Sequence, residues 1–331
     1  MGAGSWGTAF AMMCHDAGAE VSLWARRQEV VDLINDEHAN PGYLPDIELA
    51  DAIRATTDPD EALTGTAVVV LAIPSIGIVE QLAEWGDRIP GDATLVSLIK
   101  GVQADSLKFG SEVISDGLGC DPDRVVVVSG PNLAKECAQR LPAATVAASP
   151  DLDRAEHVQA SVMTPYFRVY TNPDKVGVEI AGAVKNVIAL AAGIARGMEF
   201  GDNTLATVIT RGLAEMTRLG VAMGGHPLTF AGLAGVGDLV ATCTSTKSRN
   251  NQVGEKLGRG MKLDDIISQM NMVAEGVKSS QAIVGLARSH AVEMPIAEGV
   301  VRVVHDGLEP SLMVKELMSR DAKPEMYGLE D

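Results

Sequence analysis

The sequence is poor in aromatic residues, at 4%, and in cysteine, with four. No two of Cys14, Cys120, Cys137 and Cys243 have C-x-x-C spacing, so neither a disulfide framework nor a thiolate metal site is expected; the expectation is reduced thiols in a cytoplasmic protein. No His and Cys residues cluster at ligand spacing, so no metal is expected. Positive charge is scarce too: 27 Lys and Arg against 44 Asp and Glu give a formal net charge of −17. That balance argues against nucleic acid and anionic membranes as partners, since both require a basic face. Any anionic ligand must be met by a few locally gathered cations. The apolar run from Ala67 to Val79 is interrupted by Pro74 and Ser75 and is too short to span a bilayer. The start lacks the basic region of a signal peptide. There is no low-complexity tract and no short-period repeat.

What is present is a chain of 331 residues, 46% apolar and 21% charged, long enough for two domains with a large core. Its 34 glycines suit close-packed helices and tight strand–helix turns. The first half alternates short apolar strands with helical stretches. Val21–Trp24, Ala67–Ile73, Thr94–Ile99 and Val125–Val128 read as strands, and Gln28–Asp36 and Ser75–Trp85 as helices. Such alternation predicts an α/β fold with a parallel, doubly wound Rossmann-type sheet. After Tyr170 strand signals stop. Val176–Glu199, Ala206–Gly220, Met261–Met270, Ser279–Ser289 and Ile296–His305 read as helices. The expected organisation is a dinucleotide-binding domain over 1–173 and an all-helical substrate domain over 174–331.

Gly2, Gly4 and Gly7 match G-x-G-x-x-G, in which the glycines permit a tight turn, backbone approach to a pyrophosphate and close helix–sheet packing. A flexible glycine-rich terminus would look similar. The next strand ends in Arg26–Arg27 with no acid at the corner, which favours NADP(H) while still admitting NAD(H). The pair also reads as an ordinary surface feature of a helix start. Lys185 lies within Ala181–Leu190, a stretch apolar on almost every helical face. Burial there lowers the pKa of an amine, fitting it to exchange a proton with a substrate oxygen unless it snorkels to water. Lys100 and Ser129–Asn132 follow consecutive strands, where open α/β sheets bind ligands. Thr242–Asn251 is dense in hydrogen-bond donors ahead of a helical segment and suits a phosphate cradle or a capped surface loop.

The blocks GAGSWGTA, SLIKG, SGPNLAKE, GVEIAGAVKNVIALAAGIARG, ITRGLAEMTRLG, TFAGLAGVGDLVATC and SRNNQVGEKLGRG together resemble the bacterial NAD(P)-dependent glycerol-3-phosphate dehydrogenases, from Gly2 to about Arg302. The resemblance implies reduction of dihydroxyacetone phosphate to sn-glycerol 3-phosphate for glycerophospholipid synthesis, with Lys185 as the catalytic residue. It places Lys100, Gly130, Asn132, Lys185, Asp238, Ser248, Arg249 and Asn250 on substrate positions. It places Ser5, Trp6, Arg26, Arg27, Lys100, Ala134, Arg249, Val273 and Glu275 on cofactor positions, beside Gly2, Gly4 and Gly7. The family usually carries Ser or Thr where Asn132 stands. The partner implied is a small phosphorylated triose, and a homodimer is allowed. Other readings are a 3-hydroxyacid or 6-phosphogluconate-type dehydrogenase, or a truncated, inactive NADP-binding protein. Family members begin with a strand before the first glycine, where this chain has only Met1. The expectation is that Met1 is an internal methionine closing that strand, which the in-frame codons upstream would test.

Overall fold

Continuous β-branched runs form the strands of the first unit, as expected of strands buried on both faces. The computed structural model describes residues 1–270, 274–325 and 327–328. By its contacts the chain divides into one unit of Met1–Ile99 with Gly110–Lys175, and another of Lys100–Phe109 with Val176–Asp331. In the first unit the order is α1 (Ser5–Asp16), β1 (Ser22–Trp24), α2 (Gln28–Glu37), β2 (Arg54–Thr56), α3 (Pro59–Leu63), β3 (Val68–Leu71), α4 (Ile78–Trp85), β4 (Thr94–Ser97), α5 (Gly110–Leu118), β5 (Val125–Ser129), α6 (Ala134–Ala138), β6 (Ala143–Ala148), α7 (Leu152–Val162) and β7 (Phe167–Asn172).

Two sheets result, β1-β2 and β3-β4-β5-β6-β7. The pairings are parallel except β5 with β6, which is antiparallel, so the sheet is mixed rather than wholly parallel as the sequence suggested. Met1 and Gly2 lie between the two sheets. The Met1 amine donates to Val70 O at 2.7 Å, Ala72 N donates to Met1 O at 2.9 Å, and Gly2 N donates to Trp24 O at 3.0 Å. These bonds join β1 to β3 through a single pair of residues.

The second unit is helical: α8 (Lys175–Gly197), α9 (Asp202–Ala222), α10 (Pro227–Phe230), a π turn at Leu233–Gly237, α11 (Asp238–Thr244), α12 (Arg249–Gly258), α13 (Leu263–Ser268), α14 (Glu275–Ser289), α15 (Pro295–His305) and α16 (Pro310–Met318). By length and hydropathy α8 could cross a membrane, but its apolar window is wholly buried and it forms the core of this unit. Glu215 on α9 is buried and accepts hydrogen bonds from Ile296 N at 2.7 Å and Ala297 N at 3.2 Å, capping the first turn of α15.

Helices α8 and α12 touch backbone to backbone. A Cβ on Gly254 would stand 2.1 Å from Leu190 O, and one on Gly193 would stand 2.2 Å from Asn251 O. Neither obstacle can rotate away, so Gly254→Ala must push α12 off α8. We expect a loss of about 3 kcal/mol, the upper end for overpacking, measurable by urea unfolding.

Candidate active site

In the first unit the glycines of the opening turn divide their work. Gly2 has φ +109°, and a Cβ there would lie 2.7 Å from Ala72 O. A Cβ on Gly7 would lie 1.9 Å from Gly2 O, so α1 packs directly on the turn. Gly4 is the N-cap of α1, and a Cβ there would meet nothing within 4 Å. It brings no capping side chain, and the helix has no acid in its first turn. That open helix start, with its N–H groups and positive dipole end, fits the pyrophosphate of a dinucleotide.

A loop after α2 braces this turn. Buried Asn40 donates from Nδ2 to Ala3 O at 3.0 Å and to Thr8 Oγ1 at 2.9 Å, and Ser5 Oγ donates to Tyr43 O at 2.8 Å. Arg26 and Arg27 follow β1 and are exposed. Arg27 donates to Glu29 Oε1 at 2.6 Å, and its guanidinium carbon lies 5.9 Å from the Tyr43 ring centroid. Asn40 and Tyr43 lie in an Asn-Pro-Gly-Tyr stretch with no local pattern that announces this bracing. Trp6 packs edge-on to Phe10, with centroids 5.8 Å apart, and Ala134 opens α6 against the same apolar cluster as Trp6. At the end of β5, Asn132 Nδ2 donates to Ala144 O at 2.9 Å, and a Cβ on neighbouring Gly130 would meet Thr145 Cα at 2.9 Å. Asn132 Oδ1, Ser129 Oγ and Thr145 Oγ1 are buried with no hydrogen-bond partner among the described residues. These orphaned atoms mark this strand end as unusually polar.

In the second unit Lys185 is 6% exposed and Asp238 is 2% exposed. Lys185 Nζ donates to Asp238 Oδ1 at 2.5 Å and to Thr242 Oγ1 at 2.9 Å, while Lys100 Nζ donates to Asp238 Oδ2 at 2.7 Å. Thr242 stands one helical turn after Asp238 and donates back to its Oδ1 at 3.1 Å. One carboxylate thus serves two ammonium groups. Burial is the main influence on Lys185, lowering it to about 8, against the attraction of Asp238 and together with repulsion from Lys100. Burial also disfavours the charged form of Asp238, but the two lysines outweigh it and hold the carboxyl below its usual range. The π turn delivers Asp238 to this position, an irregularity often found at working sites.

A chain of amides leads away from the lysines. Asn186 Nδ2 donates to Lys100 O at 3.0 Å, Asn250 Nδ2 donates to Asn186 Oδ1 at 2.9 Å, and Gly276 N donates to Asn250 Oδ1 at 3.0 Å. Both ends of the Asn250 amide are therefore engaged within the protein. Ser248 caps α12, its Oγ accepting from Asn251 N at 3.3 Å, and Arg249 follows it, exposed. Glu275 opens α14, and burial pushes its carboxyl up against the pull of Arg249, Lys185 and Lys100. Val273 lies outside the described residues. Lys100 and Lys185 thus both bond to Asp238, Asn250 reaches Lys100 through Asn186, and Glu275 feels the charges of Arg249, Lys185 and Lys100.

A family model described as NAD-dependent glycerol-3-phosphate dehydrogenase N-terminus matches residues 1–155, and its C-terminal counterpart matches residues 174–315. The chain is 57% identical over 324 residues to glycerol-3-phosphate dehydrogenase [NAD(P)+] of Streptomyces griseus, covering 98% of this chain and 96% of the relative. It is 52% identical over 330 residues to the protein of the same name from Thermobifida fusca, covering 99% and 98%. The crystal structure of glycerol-3-phosphate dehydrogenase from Coxiella burnetii superposes with a TM-score of 0.91 at 37% identity, covering 96% of this chain and 97% of that one.

Proposed function

The chain belongs to the NAD-dependent glycerol-3-phosphate dehydrogenase family, and on that premise we propose that it interconverts dihydroxyacetone phosphate and sn-glycerol 3-phosphate with NAD(P)(H). The observation that carries this reading is the buried Lys185 ammonium, tuned to about 8 and braced by Asp238 and Thr242. A bound nicotinamide supplies the hydride exchanged at C2. Lys185 exchanges the proton with the C2 oxygen, giving it as the ketone is reduced and taking it in the reverse direction. With a pKa near 8 both of its forms are accessible close to neutrality. Asp238 and Thr242 fix the direction of the amine, and Lys100 adds positive charge for the developing oxyanion. Ser248, Arg249 and the first turn of α12 take the phosphate, whose two charges suit a guanidinium and a helix N-terminus. The family resemblance also assigns substrate roles to Asn250 in this unit and to Gly130 and Asn132 in the first.

The turn at Gly2, Gly4 and Gly7, with Ser5, Trp6 and Ala134, takes the dinucleotide; the family resemblance also assigns cofactor roles to Lys100, Arg249 and Glu275 of the second unit. Residues 1–173 carry the glycine turn for the cofactor, and 174–331 carry the proton-exchanging lysine and the phosphate end of the substrate site. The enzyme works in the cytoplasm, in keeping with four free cysteines, and supplies glycerophospholipid synthesis. The test is oxidation of NADPH by the purified chain on addition of dihydroxyacetone phosphate; no oxidation of NADPH or NADH would overturn the reading.

Arg26 and Arg27 stand where a ribose 2′-phosphate is recognised, with no acid taking their place at the strand end. Replacing both with alanine removes charge-assisted hydrogen bonds of about 1.5–3 kcal/mol each. The expected result is a fall of about 10²-fold or more in kcat/KM with NADPH and a much smaller change with NADH. Parallel assays with the two cofactors check it.

A further inference from the structure

Arg196 has no part in the roles assigned above, yet it ties together the two helices that carry most of them. It lies half-buried in the last turn of α8. Its Nη1 donates to Asn251 Oδ1 at 3.0 Å, and its Nη2 donates to Thr244 O at 3.2 Å and Cys243 O at 3.5 Å. The two carbonyls close α11, where a helix leaves its acceptors without partners and its dipole favours a cation. Asn251 completes the joint from the other side. It is fully buried in the first turn of α12, its Nδ2 donates to Cys243 O at 2.7 Å, and its N–H donates to Ser248 Oγ at 3.3 Å. One guanidinium and one amide thus fasten the end of α11 to the start of α12, across the short connection that ends in Ser248.

We propose that Arg196 is a positioning residue for phosphate recognition. It fixes the start of α12, with Ser248 and Arg249, relative to α11, with Asp238 and Thr242. The distance so fixed is the one between the phosphate of the substrate and its reacting carbon. The proposal rests on the reading of the α12 start as the phosphate end. The geometry requires a guanidinium: its planar fork reaches a side-chain oxygen and two carbonyls at once, which a lysine's single nitrogen cannot span in the same way. The glycine contacts press α8 on α12 from Asn251 onward, and Arg196 ties the first turn of α12 to the end of α11.

The test compares dihydroxyacetone phosphate with dihydroxyacetone, which lacks the phosphate, in the wild-type enzyme and in Arg196→Ala, Arg196→Gln, Arg196→Lys and Arg249→Ala. Arg249→Ala is expected to erase most of the preference for the phosphorylated substrate. Arg196→Ala and Arg196→Gln are expected to lower kcat/KM for dihydroxyacetone phosphate by up to about 10²-fold, the scale of a small misplacement of the bound substrate. Their turnover of dihydroxyacetone, which has no phosphate to place, should stay near wild type, and Arg196→Lys should recover little. An unchanged preference in the Arg196 variants, or an equal loss with both substrates, overturns the positioning role while leaving the phosphate reading intact. An unchanged preference in Arg249→Ala removes the phosphate reading and the proposal with it.

Discussion

Lys185→Ala is expected to lower kcat by roughly 10²–10⁴, the contribution of a positioned acid–base group, while NADPH still binds. Lys185 is 6% exposed, and its amine is held in place by hydrogen bonds to Asp238 and Thr242. Asp238 is held ionised by two cations, and Lys100 bonds to the far oxygen of that carboxylate. The wild-type pH profile should report the same group. Because the Lys185 amine is lowered to about 8, ketone reduction, which needs the ammonium, should decline as pH rises through 8. Alcohol oxidation, which needs the free amine, should rise over the same range. Single-turnover rates in both directions, with a fluorescence titration of NADPH on the variant, check the result. Undiminished turnover in Lys185→Ala would remove the residue from its role.

Asp238→Asn is expected to cost about 3–5 kcal/mol of stability, since it removes the carboxylate that bonds the buried Lys185 ammonium. Two lysines share this carboxylate at 2.5 and 2.7 Å, so one substitution uncouples both. The protein relieves the strain by releasing a proton. Asp238 raises the Lys185 pKa, so its loss moves that pKa down from about 8. The reduction profile should therefore fall off at lower pH in the variant than in the wild type. Urea unfolding and pH–rate profiles read the two effects separately. A variant as stable as the wild type would show that the lysines are not both charged in the folded protein.

The sequence showed the parts of this protein whose signal is local. The glycine spacing at the start announces a turn whose glycines differ in purpose, and the structure gives Gly2 the strained backbone, Gly7 the close contact and Gly4 the open face. The apolar surroundings of Lys185 announce its burial. The runs at Val68–Leu71 and Val125–Ser129 announce buried strands. What stayed hidden depends on contacts distant in the chain or on weak local preference. Asp238 lies 53 positions from Lys185, and nothing near either residue names the other; Glu179, nearer in sequence, is not the partner. Strand β6 is AATVAA, and alanine has little preference for a strand, so burial by its neighbours makes it one. Its antiparallel pairing with β5 is equally silent in the sequence. Asn40, Tyr43, Thr242 and Arg196 are ordinary polar residues until the fold brings a glycine turn, a lysine or a helix end to each.

The contact between α8 and α12 has a consequence for how substitutions in this protein should be interpreted. Where main chain presses on main chain at Gly193, Gly197, Gly254 and Gly258, there is no rotamer to adjust and no smaller residue to choose. A survey of tolerated variants would find these positions as unforgiving as the lysines themselves, although they touch no substrate. Intolerance to change in this half of the molecule therefore has two sources, reaction chemistry and steric exclusion. They separate only when folding and turnover are measured on the same variant.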